Sequence, residues 1–401
     1  MNPWITLIGL GEDGLENISS STKAIIEGAE ILVGGARHLG KIPDFGANRI
    51  TWGNKLIEKV SNLKHYRGKK LVILASGDPM EFGVGATLLK YFSPDEIFVI
   101  PSRSSFSLVA AKMCWPLSSV ERISLHGRSF DELNYFLYPK ARILILSWDG
   151  TTPKKLANYL TSIGLGNSQL DVFENLGGKY EQHISGTASN WSEDIVGDLN
   201  TIALRCCDSD KANFWSRLPG LPENAFDHDG NITKKEIRSI TLSALSPLPG
   251  QTLWDIGAGS GAIGIEWLRS EIYSKAVAIE KNTDKCAIIK SNASKLGVPR
   301  LQVFQSIAPA GLCEIRDLPD AIFVGGGVSN LANLKSCWSY LSDGGCFVAN
   351  AVTLEAQRTL MDFKSIVGGD ITSISISRSS NLGEFTALRP MMSVLQFKGI
   401  K

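Results

Sequence analysis

The sequence predicts an α/β fold with two domains, and three observations lead to this prediction. The chain has 401 residues, a length typical of two to three domains. Short runs rich in Ile, Val and Leu alternate with helical patterns in both halves, which is typical of parallel α/β structure. A glycine-rich turn follows the first such run of each half, and turns of this kind let backbone approach a ligand closely.

The N-terminal half contains five apolar runs that we predict to be strands. Helical patterns over residues 22–29, 84–92, 105–113 and 153–163 lie between them, and the strands are 4–8, 71–75, 97–100, 143–147 and 201–205. After Cys207 the chain becomes irregular and rich in turn-forming residues. We therefore predict one domain over 1–208, a linker over 209–228 and a second domain over 229–401.

The second domain is predicted to be a Rossmann-like, mostly parallel sheet. Its strands are 252–256, 276–280, 302–305, 321–325 and 345–350. The last two segments, 371–379 and 391–399, alternate apolar and polar residues. They predict a terminal antiparallel hairpin on the parallel sheet.

Composition argues against several function classes. Lys and Arg number 41 against 40 Asp and Glu, a net charge of +1, so no strong field draws the chain to nucleic acid or to an anionic membrane. We identify no signal peptide and no apolar run long enough to span a bilayer, and expect a cytoplasmic protein. Seven scattered Cys without a C-x-x-C pair and five scattered His predict reduced thiols and no metal site.

The turn of the second domain, LWDIGAGSGAIGIE (253–266), has the character of a nucleotide-cofactor site. Asp255 precedes Gly257, Gly259 and Gly261, and Glu280 ends the next predicted strand. A carboxylate in that place can accept hydrogen bonds from both hydroxyls of a ribose. We expect Glu280 to point out of the sheet and to be partly solvated.

Three features favour S-adenosylmethionine over a dinucleotide at this turn. We expect Asp255 at the mouth of the turn, where its charge repels a pyrophosphate and attracts an amino group. The terminal hairpin is usual in seven-stranded methyltransferases, and no strands remain for a second mononucleotide-binding half. A dinucleotide site, spelled G-x-G-x-x-G through Gly264, and a purely structural turn are the alternatives.

The first turn, WITLIGLGEDG (4–14), spells the same pattern through Gly9, Gly11 and Gly14. The residues that follow delay the helix, whereas a dinucleotide-binding turn opens its helix at once. ASGDPMEFGVGATL (75–88) and PSRSSFSLVAAKM (101–113) also follow predicted strands. They put small and polar residues at strand ends, where α/β proteins bind ligands.

Several motifs carry a family resemblance that covers essentially the whole chain. LIGLGEDG, VGGARHL, SGDPMEFGVGATL and SLHGR resemble the tetrapyrrole methylase family. HDGNITKKEIR, WDIGAGSGAIGIEWLR and VANAVTLE resemble the second module of bifunctional corrin-biosynthesis methyltransferases. The resemblance implies methylation of a contracted tetrapyrrole at carbons 5 and 15, with loss of carbon dioxide from the ring C acetate. It also implies two S-adenosylmethionine sites per chain, a polycarboxylate tetrapyrrole as substrate and self-association into a homo-oligomer.

The resemblance further implies which residues surround the cofactor, while no catalytic side chain is assigned. Thr233 is expected at the methionine end and Ala308 near the adenine, although Ile307 stands where the family often has an acidic residue. The remaining predicted cofactor residues are Gly9, Gly11, Gly77, Asp78, Ser104 and Ser105 in the first domain and Gly257, Ala258, Gly259, Ser260, Gly261 and Glu280 in the second.

Basic residues near both sites are candidates for binding substrate carboxylates. We predict this role for His126, Arg128, Lys234 and Arg238; the alternative is that they are surface residues. Trp4, Trp254 and Trp267 are predicted to lie in the cores. Two other functions stay open. An RNA methyltransferase calls for a basic stripe or an RNA-binding domain, and a sensor of S-adenosylmethionine does not need two pockets.

Overall fold

The computed structural model describes residues 3–401, which form two compact units. Unit 1 comprises the residues up to Arg128 together with Tyr138–Asn213, and unit 2 comprises Ser129–Leu137 and Phe214–Lys401. The sequence did not predict that Ser129–Leu137 belongs to unit 2. Within unit 2, its Tyr135 ring lies 4.4 Å below the guanidinium carbon of Arg217.

Unit 1 begins with a parallel sheet. Its elements are β1 Ile5–Leu10, α1 Ser20–Glu27, β2 Ile31–Gly34, α2 Ala36–Gly40, β3 Asn48–Thr51, α3 Leu56–Asn62, β4 Leu71–Ser76, α4 Gly85–Leu88 and β5 Ile97–Ile100. The strand order is β3-β2-β4-β1-β5, and all neighbours run parallel. β1 and β4 are buried on both faces, as their continuous apolar sequences predict. Their carboxyl ends therefore meet at one edge of the sheet.

The second sheet of unit 1 is mixed. Its elements are α5 Ser105–Met113, β6 Glu121–Ser124, β7 Arg142–Leu146, α6 Thr152–Ser162, β8 Gln169–Glu174, β9 Gln182–Thr187 and β10 Asn200–Arg205. The order is β6-β7-β10-β8-β9, and only β6 and β7 are parallel. The expectation of parallel pairing is therefore wrong for 143–147 and 201–205, where Ile145 lies opposite Ile202. Apolar runs locate buried strands but do not give their direction.

Unit 2 is built on a seven-stranded sheet. Its elements are α7 Lys235–Leu245, β11 Thr252–Ile256, α8 Ala262–Ser270, β12 Lys275–Glu280, α9 Thr283–Lys295, β13 Gln302–Gln305, β14 Ala321–Val324, α10 Leu331–Tyr340, β15 Cys346–Ala351, α11 Leu354–Val367, β16 Asp370–Ile374, β17 Ser377–Leu382, β18 Phe385–Pro390 and β19 Val394–Ile400. The order is β13-β12-β11-β14-β15-β19-β16. β11 to β15 pair in parallel, and the α/β prediction is confirmed.

The predicted terminal hairpin is only partly correct. β16 pairs antiparallel with β19, and β19 pairs antiparallel with β15. Residues 377–382 leave this sheet and pair with β18 as a separate two-stranded ribbon. Arg378 of β17 holds the ribbon by donating to Glu236 and to Glu223 Oε1 at 2.8 Å. Burial by itself raises the pKa of Glu223, but hydrogen bonds from Arg378 and backbone amides lower it to about 2.

The tryptophans predicted for the core fall into two groups. Trp254 and Trp267 are completely buried in unit 2. Trp4 is half-buried in unit 1, where its ring packs edge-on against Phe92 and its Nε1 donates to Glu96. Strand β11, which carries the buried Trp254, lies between β12 and β14 inside its sheet. This fixes the position of the turn that follows it.

Candidate functional sites

The glycine-rich turn of unit 2 leads directly from β11 into α8. The N–H of Gly257 donates to the carbonyl of Ile279 at 2.9 Å, which holds the turn against β12. Gly257 and Gly259 have φ of +71° and +60°, a left-handed conformation that glycine adopts without strain. A Cβ on Gly257 would lie 2.7 Å from the Cα of Gly326, whereas one on Gly259 would meet no atom within 4 Å. At position 257 glycine is required because a side chain would clash with Gly326. At position 259 glycine is favoured because the backbone has a positive φ.

Glu280 supports this turn from the end of β12. Its Oε2 accepts the N–H of Gly259 at 3.0 Å, and its Oε1 accepts the N–H of Asn282 at 3.0 Å. The residue is only 7% exposed, so the expectation that Glu280 is partly solvated is wrong. Each carboxylate oxygen keeps a further lone pair for a ligand. Glu280 therefore has a structural task in addition to any ligand contact.

Asp255 lies beneath the turn rather than at its mouth. It is 1% exposed, and its Oδ2 accepts the N–H of Gly264 at 3.0 Å. Burial raises the pKa of Asp255 to about 7; the Gly264 hydrogen bond opposes this rise and the negative charge of Glu280 adds to it. The expectation that Asp255 lies at the mouth is corrected: it lines the cavity from a buried position.

A cavity of about 450 Å³ opens at the carboxyl ends of β11 to β14. Gly261, which was predicted beside the cofactor, immediately precedes α8 and is not among the described residues that line the cavity; a Cβ on it would lie 2.8 Å from the side chain of Ile289. The predicted residues that line the cavity are Thr233, Gly257, Ala258, Gly259, Ser260, Glu280 and Ala308. The structure therefore brings predicted residues from four separate parts of the sequence to one site.

Sequence reasoning missed several residues of this cavity. They follow the ends of β12 and β13, or lie just before α7 and on the helices α9 and α10. The members of this group are Asn231, Lys281, Lys285, Ser306 and Asn333. Because the carboxyl ends of parallel strands share one edge, the position directly after each predicted strand was the signal that could have found Lys281 and Ser306.

The prediction that Arg238 binds substrate carboxylates is wrong. Its side chain is completely buried, and its Nε donates to Glu266 Oε1 at 2.8 Å. Its other nitrogens donate to the carbonyls of Thr233 and Leu221. Arg238 therefore fixes the backbone of Thr233 at the cavity. Lys234 is half-buried and is not among the described residues that line the cavity.

In unit 1, the loops after β1, β4 and β5 meet closely. The N–H of Gly77 donates to the carbonyl of Leu10 at 3.1 Å, and the N–H of Ser102 donates to the carbonyl of Gly77 at 3.2 Å. A Cβ on Gly9 would lie 1.9 Å from the oxygen of Gly77. Only glycine at position 9 permits this close approach of the loops. These loops contain the predicted cofactor residues of unit 1.

The cavity at this meeting point has a volume of about 40 Å³. Gly11, Gly77 and Ser105 line it, together with four polar residues from the surrounding loops and the end of β4: Glu12, Arg37, Ser76 and Arg103. Two other predicted residues have local tasks. Asp78 Oδ1 accepts the N–H of Met80 at 2.9 Å, and Ser104 caps α5 by accepting the N–H of Ser107.

A charged cluster that the sequence analysis did not identify surrounds this small cavity. Glu12 pairs with Arg37 and, through Oε2, with Lys41 Nζ at 2.6 Å. His38 Nε2 lies 3.0 Å from Ser76 Oγ. Burial, and next the charges of Arg37 and Lys41, lower the pKa of His38 to about 4. His38 is therefore neutral near pH 7. Arg37 and His38 both lie in the segment VGGARHL. The sequence gave no indication that Arg37 pairs with Glu12 or that His38 lies beside Ser76.

His126 and Arg128 lie on an exposed turn after β6. The His126 ring lies 5.6 Å from the ring of Trp148, which is 55% exposed. The guanidinium carbon of Arg128 lies 5.2 Å from the ring centre of Phe82. Exposed aromatic rings beside a cation suit a planar, acidic ligand. Trp148 and Phe82 were not predicted.

Other features concern metals and membranes. Within residues 3–401, no group of three or more His, Cys, Asp or Glu side chains is arranged to hold a metal ion. Across the same residues, no helix has the length and apolar character needed to cross a bilayer.

The family descriptions that match this chain divide it in two. Residues 5–191 match the tetrapyrrole (corrin/porphyrin) methylases, and residues 224–401 match the precorrin methyltransferase domain. The chain is thus a fusion of two methyltransferase domains of the corrin and porphyrin class.

Relatives similar over the full length define the family more closely. The precorrin-6Y C(5,15)-methyltransferase [decarboxylating] of a Sinorhizobium species is 39% identical, covering 100% of this chain and 97% of that protein. The protein of the same name from Mycobacterium tuberculosis is 37% identical, with 99% and 100% covered. The solved C-terminal domain of the Rhodobacter capsulatus protein of that name is 39% identical, covers 47% of this chain and 100% of its own, and has a TM-score of 0.44. The chain belongs to the family of precorrin-6Y C(5,15)-methyltransferases (decarboxylating).

Proposed function

We propose that this chain methylates a precorrin at carbons 5 and 15 and removes carbon dioxide from the ring C acetate, with S-adenosylmethionine as methyl donor, in cobalamin biosynthesis. The observation that carries the proposal is similarity to decarboxylating C5,15-methyltransferases along the entire chain, joined to a formed cavity behind a glycine turn. The substrate is accordingly a polycarboxylate tetrapyrrole.

The cavity of unit 2 fits S-adenosylmethionine in size and chemistry. Its volume of about 450 Å³ lies within the range of small-molecule sites, roughly 300 to 1,000 Å³. Gly257 to Gly261 are proposed to wrap the cofactor, and Glu280 to accept the ribose hydroxyls with the lone pairs that its backbone partners leave. Thr233 is assigned to the methionine end and Ala308 to the adenine.

A second S-adenosylmethionine site is proposed in unit 1, at Gly9, Gly11, Gly77, Asp78, Ser104 and Ser105. The close approach of Gly9 to Gly77 supports a site that needs bare backbone. The present cavity of about 40 Å³ is too small for such a ligand. Binding therefore requires polar side chains over the turn to move, and Arg103, with its side chain 64% exposed, is the one with most freedom.

The chemistry asks for alignment rather than for a reactive side chain. S-adenosylmethionine, when bound, supplies a methyl group that is already activated as a sulfonium. The electron-rich ring carbon of the substrate forms the new bond, so the protein has to hold that carbon in line and exclude water. Gly325, Gly326 and Gly327 at the end of β14 leave room at the cavity for a bulky ring. His126 and Arg128 are proposed to bind substrate carboxylates.

The division of labour follows the two family regions. We assign methylation at carbon 5 to residues 1–208, and methylation at carbon 15 with the decarboxylation to residues 229–401, joined by the linker 209–228. Self-association into a homo-oligomer and a cytoplasmic location complete the proposal.

The decisive experiment is incubation of the purified protein with precorrin-6B and S-adenosylmethionine, with and without cobalt in the substrate, followed by mass analysis. A product with two added methyl groups and one carbon dioxide lost supports the proposal. Unchanged substrate in both forms contradicts it.

The number of cofactor sites is tested separately. Titration calorimetry with S-adenosylhomocysteine is expected to give two molecules per chain, because each unit contains a glycine-lined site. A ratio of one in a chain with both units folded overturns the proposal of two sites.

A further inference from the structure

A short segment that precedes α7 borders the cavity of unit 2. We name Asp227–Thr233 the covering segment, because Asn231, Ile232 and Thr233 line the cavity. The segment is organised by its own turns: the N–H of Gly230 donates to His228 Nδ1 at 3.0 Å, and the N–H of Asn231 donates to Asp229 Oδ1 at 3.0 Å. These local bonds shape the segment, but they do not fix it to the rest of the unit.

One buried side chain joins the covering segment to the glycine turn. Asn292 of α9 is completely buried. Its Oδ1 accepts the N–H of Asp227 at 2.8 Å, and its Nδ2 donates to the carbonyls of Asp227 at 2.9 Å and Ser260 at 3.0 Å. Both N–H groups of the amide are therefore used. Since Ser260 lies in the glycine turn, Asn292 holds that turn and the covering segment together.

The other anchors of the covering segment are the buried Arg238, which donates to the carbonyl of Thr233, and two exposed ion pairs. Asp229 pairs with Lys285 at 3.1 Å, and Asp227 pairs with Lys295 at 3.2 Å. The four side chains are between 31% and 57% exposed. Exposed pairs are screened by salt and stabilise little. Arg238 thus holds the segment at Thr233, whereas the buried amide of Asn292 bonds to both the segment and the glycine turn.

We propose that Asn292 is a positioning residue that couples the covering segment to the glycine turn, so that both walls close on the cofactor together. The inference rests on the proposed use of this cavity for S-adenosylmethionine. Asn292 has no direct contact with the reacting atoms in this role. It acts through the positions of Ser260 and Asp227.

The test is hydrogen exchange of the full chain during titration with S-adenosylhomocysteine, followed in peptides of the covering segment and of the glycine turn. Both peptides of the natural chain are expected to gain protection with one common midpoint. Asn292→Ala is expected to raise that midpoint at least about tenfold, since it removes three hydrogen bonds of a buried side chain. It is also expected to leave the covering segment exchanging fast while the glycine turn still becomes protected.

Lys295→Met is the matched control, because it removes the exposed anchor of the same residue, Asp227. It is expected to shift the midpoint less than about threefold. If Asn292→Ala lacks a cooperative melt, Asp227→Pro replaces it and removes the N–H that Asn292 accepts. Phe226 is already extended, with φ −109° and ψ 141°, as a residue before proline should be.

The outcomes separate the two proposals. No ligand-dependent protection of the glycine turn in the natural chain overturns the proposed use of the cavity. Protection in the natural chain, with an unchanged common midpoint in Asn292→Ala, or in Asp227→Pro where that variant replaces it, overturns the positioning role alone. Equal effects of Lys295→Met and Asn292→Ala also overturn it, because the ion pair would then account for the coupling.

Discussion

The two glycine turns share the sequence pattern G-x-G-x-x-G, but their structures differ. In unit 2, glycines with positive φ lead straight into α8, and buried groups support the turn around a cavity of about 450 Å³. In unit 1, Gly9 serves the close approach of neighbouring loops, α1 begins only at Ser20, and charged side chains surround a cavity of about 40 Å³. The same residue pattern thus serves both conformation and packing in unit 2, at Gly259 and Gly257, and packing at Gly9 in unit 1.

The largest expected difference concerns the charges that support each site. Arg238 and Glu266 are 0% and 1% exposed, so Arg238→Met leaves a buried, unpaired carboxylate. This change is expected to reduce the free energy of unfolding of unit 2 by about 3–5 kcal/mol. Lys41→Met in unit 1 is expected to cost about 1 kcal/mol or less, because Arg37 still pairs with Glu12. Native-state hydrogen exchange of β11 and β1 measures both, and equal costs would contradict the distinction.

The second difference concerns glycine. Gly9→Ala puts a Cβ 1.9 Å from a backbone oxygen, so the loops of unit 1 must separate, at a cost of about 3 kcal/mol. Gly259→Ala meets no atom but keeps a φ of +60°, which costs about 1–2 kcal/mol. Urea unfolding of the two variants compares them. A smaller loss for Gly9→Ala than for Gly259→Ala would mean that packing is not the main task of Gly9.

Glu280→Gln sharpens the comparison at the level of ligand binding. Gln turns one acceptor into a donor that faces a backbone N–H, so unit 2 is expected to lose about 1–3 kcal/mol of stability. Binding of S-adenosylhomocysteine to unit 2 is expected to weaken about tenfold to a hundredfold. The site of unit 1 should not change. Calorimetry that finds both sites weakened equally would rule out a ribose contact by Glu280.

The two units are also expected to respond to pH in opposite ways. Because the pKa of His38 falls to about 4 in the fold, unfolding binds a proton, and unit 1 loses stability as pH drops from about 6.5 to about 4. Because the pKa of Asp255 rises to about 7, unit 2 loses stability as pH rises from about 4 to about 7.

His38→Gln and Asp255→Asn test this response by urea unfolding at about pH 5 and about pH 7. When the pH is lowered from about 7 to about 5, the stability of His38→Gln relative to the natural chain should increase. The stability of Asp255→Asn relative to the natural chain should decrease. Shifts of the same sign would contradict the assignment of the two groups.

Much of the fold could be predicted from local pattern. The apolar runs located β4, β5 and β11 nearly to the residue, because buried strands need continuous apolar side chains. The pattern did not reveal the ribbon β17–β18, which is polar at many positions and largely exposed. It also gave no sign that Ser129–Leu137 belongs to unit 2, since such membership depends on contacts far along the chain.

The sequence by itself determined where the glycine turns lie, which strands precede them and which family the chain resembles. These depend on residue types at fixed spacing, which local conformational preferences translate directly into structure. Only the tertiary structure decided the environment of the charged residues. Arg238 is typical of an exposed helix position in sequence, yet it is buried against Glu266, and Asp255 and Glu280 are buried beneath the turn they support. Burial depends on which elements pack together, and no local pattern contains that information.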